Sequence, residues 1–522
     1  MRRPSVSAAA TVLAVAGAAL FVFSQLEPGL LLRDTTPSGG DMGAHVWGPA
    51  YLRDRLLPAG RMTGWAPDWY AGFPFLTFYF PLPNLLVVLA DVVLPYGVAF
   101  KLVSVLGLVS LPVAAWAFGR LAGLRAPGPA CLAVAMVPFL FERSFTIYGG
   151  NIASTLAGEF AFSIALSLAL VFLGVLARGL ESGRHKALAA SLLALTVLSH
   201  LLPALFAVVG AVVLTLLRPG GRRLVHSAAV GAVAALLTAF WALPFVVRLP
   251  FSNDMGWEKI LTYRKSLLSE PGTVLVVLAA AGVVVSLAFR LRTGAFLSAM
   301  AALSAAAFVW APQGRLWNAR LLPFWFLCLY LLAGVAVSEV GRGVGRVLDR
   351  AGEGAERTGA VLAPVVALAA AVVHVGMPLQ LFPEWTGLRG KDRSFVPDWV
   401  RWNYSGYEDK PSYGEYQDLV ASMEAVGRDR GCGRAFWEYE PELDRLGTPM
   451  ALMLLPYWTD GCIGSMEGLY FESSATTPYH FLLQAELSSA PSRPQRELPY
   501  RGLDLARGVE HLRLLGVRYY MA

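Results

Sequence analysis

The sequence predicts a polytopic α-helical membrane protein of about eleven transmembrane helices with a C-terminal mixed α/β extracytoplasmic domain. Three observations carry that prediction. Of the 522 residues, 56% are apolar or aromatic and only 15% are charged, against about 25% charged in an ordinary soluble domain. The apolar residues gather into runs near the length that crosses a bilayer as a helix, roughly 20 residues. Two polar stretches, 27–82 and 380–522, stand apart from those runs. A soluble enzyme of this length would need a charged skin over several cores, and this composition does not supply one. The net charge of +7 is clustered between apolar runs, a pattern that orients helices in a membrane and does not suggest nucleic acid as a partner.

The first run, about 8–26, follows Arg2 and Arg3 and lacks a small-residue cleavage site. It reads as a retained helix with a cytoplasmic N-terminus rather than a cleaved signal. Further crossings are expected at 97–120, 127–142, 152–178, 187–199, 201–217, 225–247, 271–290, 295–310, 321–338 and 359–379. The stretch 187–217 reads as one long crossing or as two short ones broken at His200-Leu-Leu-Pro203, where a turn or kink is expected. Arginine placement favours two, since the loops then assigned to the cytoplasm hold more Arg than those assigned outside. The odd total puts the C-terminal segment outside the plasma membrane. The stretch 340–358, with GRGVGRVLDRAGEGAER, reads as a solvated cytoplasmic loop.

These runs divide the chain into a transmembrane domain, 1–379, with a first outer loop at 27–82, and an outer domain from 380. In the outer domain a helix is expected at 413–428, strands at 434–439 and 467–472, and a helix at 504–514. The last residues, 516–522, read as a strand, and the outer domain is expected to continue past Ala522. Cys131 and Cys328 fall inside membrane helices as small packing residues. Cys432 and Cys462, each beside a glycine, allow a disulfide in an oxidising compartment.

The densest chemical signal begins at Gly39 with GGDMGAHVWGPAYLRD. If this stretch is helical, Asp41 and His45 share one face, and the carboxylate could take a proton from a hydroxyl nucleophile with His45 tuning it or binding substrate. A helix N-cap is the plainer alternative for Asp41. The aromatic run from Trp65 to Phe80 fits an interfacial belt, with stacking on sugar rings or cover for a lipid tail as alternatives; Asp68 within it is a second carboxylate candidate. Glu142 and Arg143 close one helix, and Glu159 is expected about two turns inside the next, where a carboxylate needs a cavity or a partner. Lys259, Arg315 and Arg320 are candidates to grip a phosphate, with snorkelling to headgroups as the alternative. The sequence holds no GxxxxGK[ST], HExxH, CxxC or GxSxG motif, so nucleotide-driven transport, zinc proteolysis and the usual serine-hydrolase layout have no support.

An N-terminal helix followed by a long outer loop with an early acid resembles the GT-C class of membrane glycosyltransferases. The strings GGDMGAHVWGPAYLRD, PDWYAGFPFLTFYFPLP and YGGNIASTLAGEF more narrowly resemble an actinobacterial family of membrane proteins labelled 6-pyruvoyl-tetrahydropterin-synthase-related. The pterin label implies clustered zinc-binding histidines with an HxH pair, which the seven histidines here do not form, so neither a pterin nor a nucleotide cofactor is expected. The GT-C resemblance implies transfer of a sugar from a polyprenyl-phosphate donor to a cell-envelope glycan or lipid acceptor, with inversion. It assigns Asp41 the role of base or metal ligand. Many such enzymes have two adjacent acids at this point, whereas this chain has Gly40-Asp41-Met42, which leaves a divalent metal open. A transporter or lipid-handling protein working through Glu159, and a non-catalytic envelope-assembly protein, are the alternatives.

Overall fold

The computed structural model describes residues 6–268, 273–312, 314–349 and 355–521. The bundle consists of α1 (Val6–Ser24), α2 (Tyr96–Leu121), α3 (Gly128–Leu140), α4 (Phe160–Ser182), α5 (Lys186–Ser199), α6 (Leu201–Leu216), α7 (Gly221–Arg248), α8 (Thr273–Ala288), α9 (Arg292–Trp310), α10 (Leu322–Asp349) and α11 (Ala355–Gly376). Seven helical stretches among the described residues are long and apolar enough to cross a membrane, and α3, α5, α6 and α8 are shorter apolar helices. The protein is a polytopic helical membrane protein.

Small residues set how closely the helices approach. A Cβ on Gly107 of α2 would stand 2.2 Å from the Ser163 backbone of α4, so only glycine lets these two backbones touch. Ser167 uses that contact to donate a hydrogen bond to the Gly107 carbonyl, 2.9 Å.

The direction of α5 and α6 follows from side-chain contacts at the two ends of α4. The His200 ring, between α5 and α6, lies 4.4 Å from the Phe80 ring and 5.1 Å from that of Phe162, at the start of α4. Arg218, just after α6, reaches Glu181 at the other end of α4, 3.1 Å. The chain therefore runs up α5 and back down α6, as the two-segment reading expects.

Two sequence expectations fail here. The stretch assigned to a loop at 340–358 is helical on both sides, as α10 runs to Asp349 and α11 begins at Ala355; residues 350–354 lie outside the described residues. Glycines are the cause, since a Cβ on Gly359 would stand 2.4 Å from the Gly341 carbonyl, and the two helices meet there. Likewise 152–178 is not one helix. A short turn of helix at Ile152–Leu156 ends, Gly158 takes a φ of +118°, and α4 starts at Phe160 with Glu159 as its N-cap.

At one end of the bundle the loop 27–82 and the segment from 380 share a single hydrophobic core, in which Trp47, Trp69, Phe73 and Phe75 pack with Tyr407, Trp437, Leu454 and Leu469. The aromatic run is thus interior packing and not an interfacial belt; Trp69, Tyr70, Phe73 and Phe75 are fully buried and only Trp65 stands well out. Loop strands β1 (Gly64–Ala66) and β2 (Phe73–Phe75) pair antiparallel. In the C-terminal segment β3 (Gly433–Trp437) lies between β4 (Ile463–Ser465) and β5 (Val517–Met521), parallel to both. Cys432 and Cys462 form a disulfide beside β3 and β4. The expected helices appear at Tyr413–Arg430 and Leu505–Leu514. The strand expected at 467–472 does not form, because Tyr470 turns left-handed at φ +63° and Phe471–Ser473 is a 3-10 turn.

Lys101 of α2 joins this layer to the bundle. Fully buried, its Nζ donates to the Leu30 carbonyl (2.8 Å), Thr35 Oγ1 (2.9 Å) and the Tyr404 carbonyl (3.2 Å). Its three donors are thereby satisfied without a carboxylate partner.

Candidate active site

Asp41 is held in place by the two glycines before it. Gly39 N–H donates to the Gly447 carbonyl, 2.8 Å, and Thr448 Oγ1 donates to the Gly40 carbonyl, 3.0 Å. Gly39 sits at φ +84°, and a Cβ there would collide with the Asn403 side-chain oxygen at 1.8 Å. Asn403 in turn donates to the Leu156 carbonyl, 2.7 Å. The C-terminal segment thus clamps the loop against the turn that precedes α4.

The short helix Met42–His45 follows, and Asp41 is its N-cap by backbone position but makes no capping hydrogen bond with its side chain. The carboxylate is therefore free for other chemistry. Asp41 and His45 do share a face: a Cβ on Gly158 would stand 2.9 Å from Asp41 Cβ and 3.1 Å from His45 Cδ2. A side chain at 158 would fill this space.

Glu159, next in the chain, pairs with Arg320, Nη1 to Oε1 2.5 Å, and Arg320 also donates to the Ile147 carbonyl, 2.7 Å. The far wall comes from the C-terminal segment. Tyr470 Oη lies 3.3 Å from His45 Nδ1, and Tyr79 Oη donates to Glu472 Oε2, 2.5 Å. The Tyr79 and Tyr470 rings lie 4.3 Å apart, tilted 53° to each other. Trp241 of α7 holds the Tyr79 loop by donating from Nε1 to the Leu76 carbonyl, 2.9 Å.

The electrostatics follow from this arrangement. Burial above all raises the Asp41 carboxyl from its ordinary 3.8 to about 7; the Glu159 charge adds to the rise, Arg320 opposes it, and Glu472 adds further. Burial lowers His45 to about 4, so its ring is neutral near pH 7 and adds no positive charge beside Asp41.

Asp41, His45, Glu159 and Arg320 are brought together; the other sequence candidates are not. Asp68 accepts from the Trp47 indole, 2.8 Å, in the aromatic core, and its charged neighbours are Arg55 and Asp460. Lys259 gives its Nζ to the Val309 carbonyl, 2.7 Å. Arg315 donates to the Leu249 carbonyl, 2.5 Å. Glu142 accepts from Tyr330 Oη, 2.7 Å, and from the Ser144 hydroxyl, 2.7 Å. Glu142 and Arg143 stand at one end of an apolar groove of about 760 Å³ between α3, α8, α10 and α11, lined by Ala135, Gly334, Ala367 and Ala371 and reached also by His374 and Lys391. Glu472 and Tyr470 complete the site without having been singled out by the sequence, and Tyr79, which joins them, comes from the aromatic run. Among the described residues no three His, Cys, Asp or Glu side chains stand together in a way that could hold a metal ion.

Residues 76–275 match the family model of the 6-pyruvoyl-tetrahydropterin synthase related domain, described as a membrane protein. The matched segment includes Tyr79, Gly158, Glu159 and Trp241 of this site and carries the label that the sequence strings resemble. No curated protein matches the chain by sequence. In structure the chain is similar to ArnT from Cupriavidus metallidurans bound to undecaprenyl phosphate, with 15% identity and a TM-score of 0.47 over 87% of this chain and 85% of that one. The apo state of ArnT gives 15% identity and 0.46 over 97% and 89%. The oligosaccharyltransferase of Archaeoglobus fulgidus in its apo form gives 10% identity and 0.43 over 98% and 69%.

Proposed function

We propose that this protein is a GT-C-like membrane glycosyltransferase that moves a sugar from a polyprenyl-phosphate donor to a hydroxyl of a cell-envelope acceptor. The observation that carries the proposal is an uncapped carboxylate, Asp41, beside the Glu159–Arg320 pair where the helical bundle meets its polar layer. A base works best when its pKa lies near the working pH, and Asp41 near 7 meets that condition.

In this reading Asp41 takes the proton of the acceptor hydroxyl while that oxygen attacks the anomeric carbon. The bond between that carbon and the phosphate oxygen breaks, and polyprenyl phosphate leaves with the bonding pair. Arg320 faces the charge that grows on the phosphate, and a fixed guanidinium there lowers the barrier. Glu159 holds Arg320 in position, and Tyr470 orients the neutral His45 against the acceptor side. The groove ending at Glu142 and Arg143 would house the isoprenoid chain. The site would face the outside of the plasma membrane, with the N-terminus in the cytoplasm.

The test is mass spectrometry of lipid-linked sugars and envelope glycans in cells with and without the gene. Accumulation of one polyprenyl-phosphate sugar together with loss of one glycan substituent supports the proposal. Unchanged pools of both would contradict it.

A further inference from the structure

At the end of the bundle away from Asp41, a cavity of about 430 Å³ lies between the C-terminal turn of α4 and the N-terminus of α7. Its walls include the backbone of 179–183, Gly220 and Gly221, and the side chains of Arg222, Arg223 and His226. Four features make it a cradle for an anion. Helix α7 is 28 residues long and has no side-chain cap at its start; the Arg223 and Leu224 amides turn back to the Gly220 carbonyl, which leaves the Gly221 and Arg222 amides as donors next to the positive end of a long helix dipole. His226 is buried, at 3% exposure, yet its Nε2 has no hydrogen-bond partner. Gly179 keeps that face of the ring open, since a Cβ there would stand 2.8 Å from Nε2. Arg222 is exposed at the cavity and pairs with no carboxylate among the described residues.

The acid on the wall, Glu181, is already engaged by Arg218 at 3.1 Å. Arg223 spends its Nε on the Leu180 carbonyl, 3.1 Å, which fixes the guanidinium at the rim. The cavity is therefore positive, and a buried imidazole nitrogen without a partner is a cost that a bound acceptor would remove.

We infer that this cavity is a phosphate-binding site, separate from the Asp41 site, that takes the phosphate of an anionic lipid headgroup or a free phosphate. Phosphate oxygens would accept from the Gly221 and Arg222 amides, from His226 Nε2 and from the Arg222 guanidinium.

The test uses the full chain, purified in detergent, stripped of lipid and offered phosphatidylglycerol, phosphatidylcholine or inorganic phosphate, with retained ligand read by native mass spectrometry. Arg222→Gln and His226→Leu are compared with Arg125→Gln, a change at an exposed arginine outside the cavity. The native chain and Arg125→Gln should retain phosphatidylglycerol over phosphatidylcholine, and each cavity variant should lose about tenfold in retention, as expected for one charge-assisted hydrogen bond. Displacement of the lipid by inorganic phosphate would identify the free anion as sufficient, and failure of displacement would identify the lipid. Equal retention by all four proteins, or retention of none of the three ligands by the native chain, would overturn the inference. Because Arg222 is on the surface, its variant stays informative if His226→Leu does not fold.

Discussion

Arg320 Nη1 lies 2.5 Å from Glu159 Oε1, joining the 3-10 turn that leads into α10 to the residue just before α4. Both ends of this pair act on Asp41 in opposite senses, Glu159 raising its pKa and Arg320 lowering it. The pair therefore sets the field in which Asp41 works, in addition to tying two helices together.

That relationship gives a signed prediction for the pH dependence of turnover. Activity that needs ionised Asp41 should rise with pH around a midpoint near 7. Glu159→Gln removes a negative neighbour and should move the midpoint down, by about one unit at most. Arg320→Gln removes the opposing positive charge and should move it up, with a fall in the plateau rate. Profiles of kcat/KM against pH for the three proteins check both directions.

Asp41 also bears on stability. Its folded-state pKa, about 7, lies above the ordinary 3.8, so the folded protein holds this proton more tightly than the unfolded one. The stabilisation from this group is complete below pH about 4 and is lost as pH rises through about 7. Asp41→Asn removes the buried charge and should raise the thermal unfolding midpoint at pH about 8, with a smaller gain at pH about 5. Thermal scans at the two pH values measure it.

Lys101 should matter far more to the join between bundle and polar layer than the surface pair Arg33–Asp409 does. Lys101→Met removes three hydrogen bonds made by a buried amine and should cost roughly 2–4 kcal/mol. Arg33→Gln breaks a pair at 2.6 Å whose side chains are 49% and 34% exposed, and solvent screening leaves such a pair little effect on stability. Limited proteolysis should find the C-terminal segment more readily cut in Lys101→Met and unchanged in Arg33→Gln.

Most of the bundle was legible in the sequence because a bilayer demands long apolar runs, and such runs are local. The break at His200 could be read for the same reason, as Pro203 and polar His200 interrupt one of them. The join of α10 and α11 was missed because GRGVGRVL looks like a loop until Gly341 and Gly359 are seen to meet across the two helices. At the site, Asp41, His45, Glu159 and Arg320 stood out as polar groups in unusual places. Glu472 and Tyr470 did not, since they reach Asp41 only through a turn some 430 residues downstream, and no local pattern marks such a contact. The aromatic run was visible as a run, but its burial depends on the C-terminal layer that covers it.

The two ends of the bundle should be distinguishable from outside the cell. Single cysteines replacing exposed Asp418, in the C-terminal layer, and exposed Arg184, between α4 and α5, test this with a membrane-impermeant thiol reagent on intact cells. Asp418→Cys should be labelled and Arg184→Cys spared; the reverse pattern would put the Asp41 site in the cytoplasm.

The most direct test of the central claim is turnover of a polyprenyl-phosphate sugar by the purified chain and by Asp41→Asn, with lipid phosphate release and acceptor glycosylation measured together. The native chain should release one polyprenyl phosphate for each sugar transferred. Asp41→Asn, which keeps the shape of the side chain and removes the base, should fold normally and transfer nothing measurable. Full transfer by folded Asp41→Asn would contradict the assignment of Asp41 as the base.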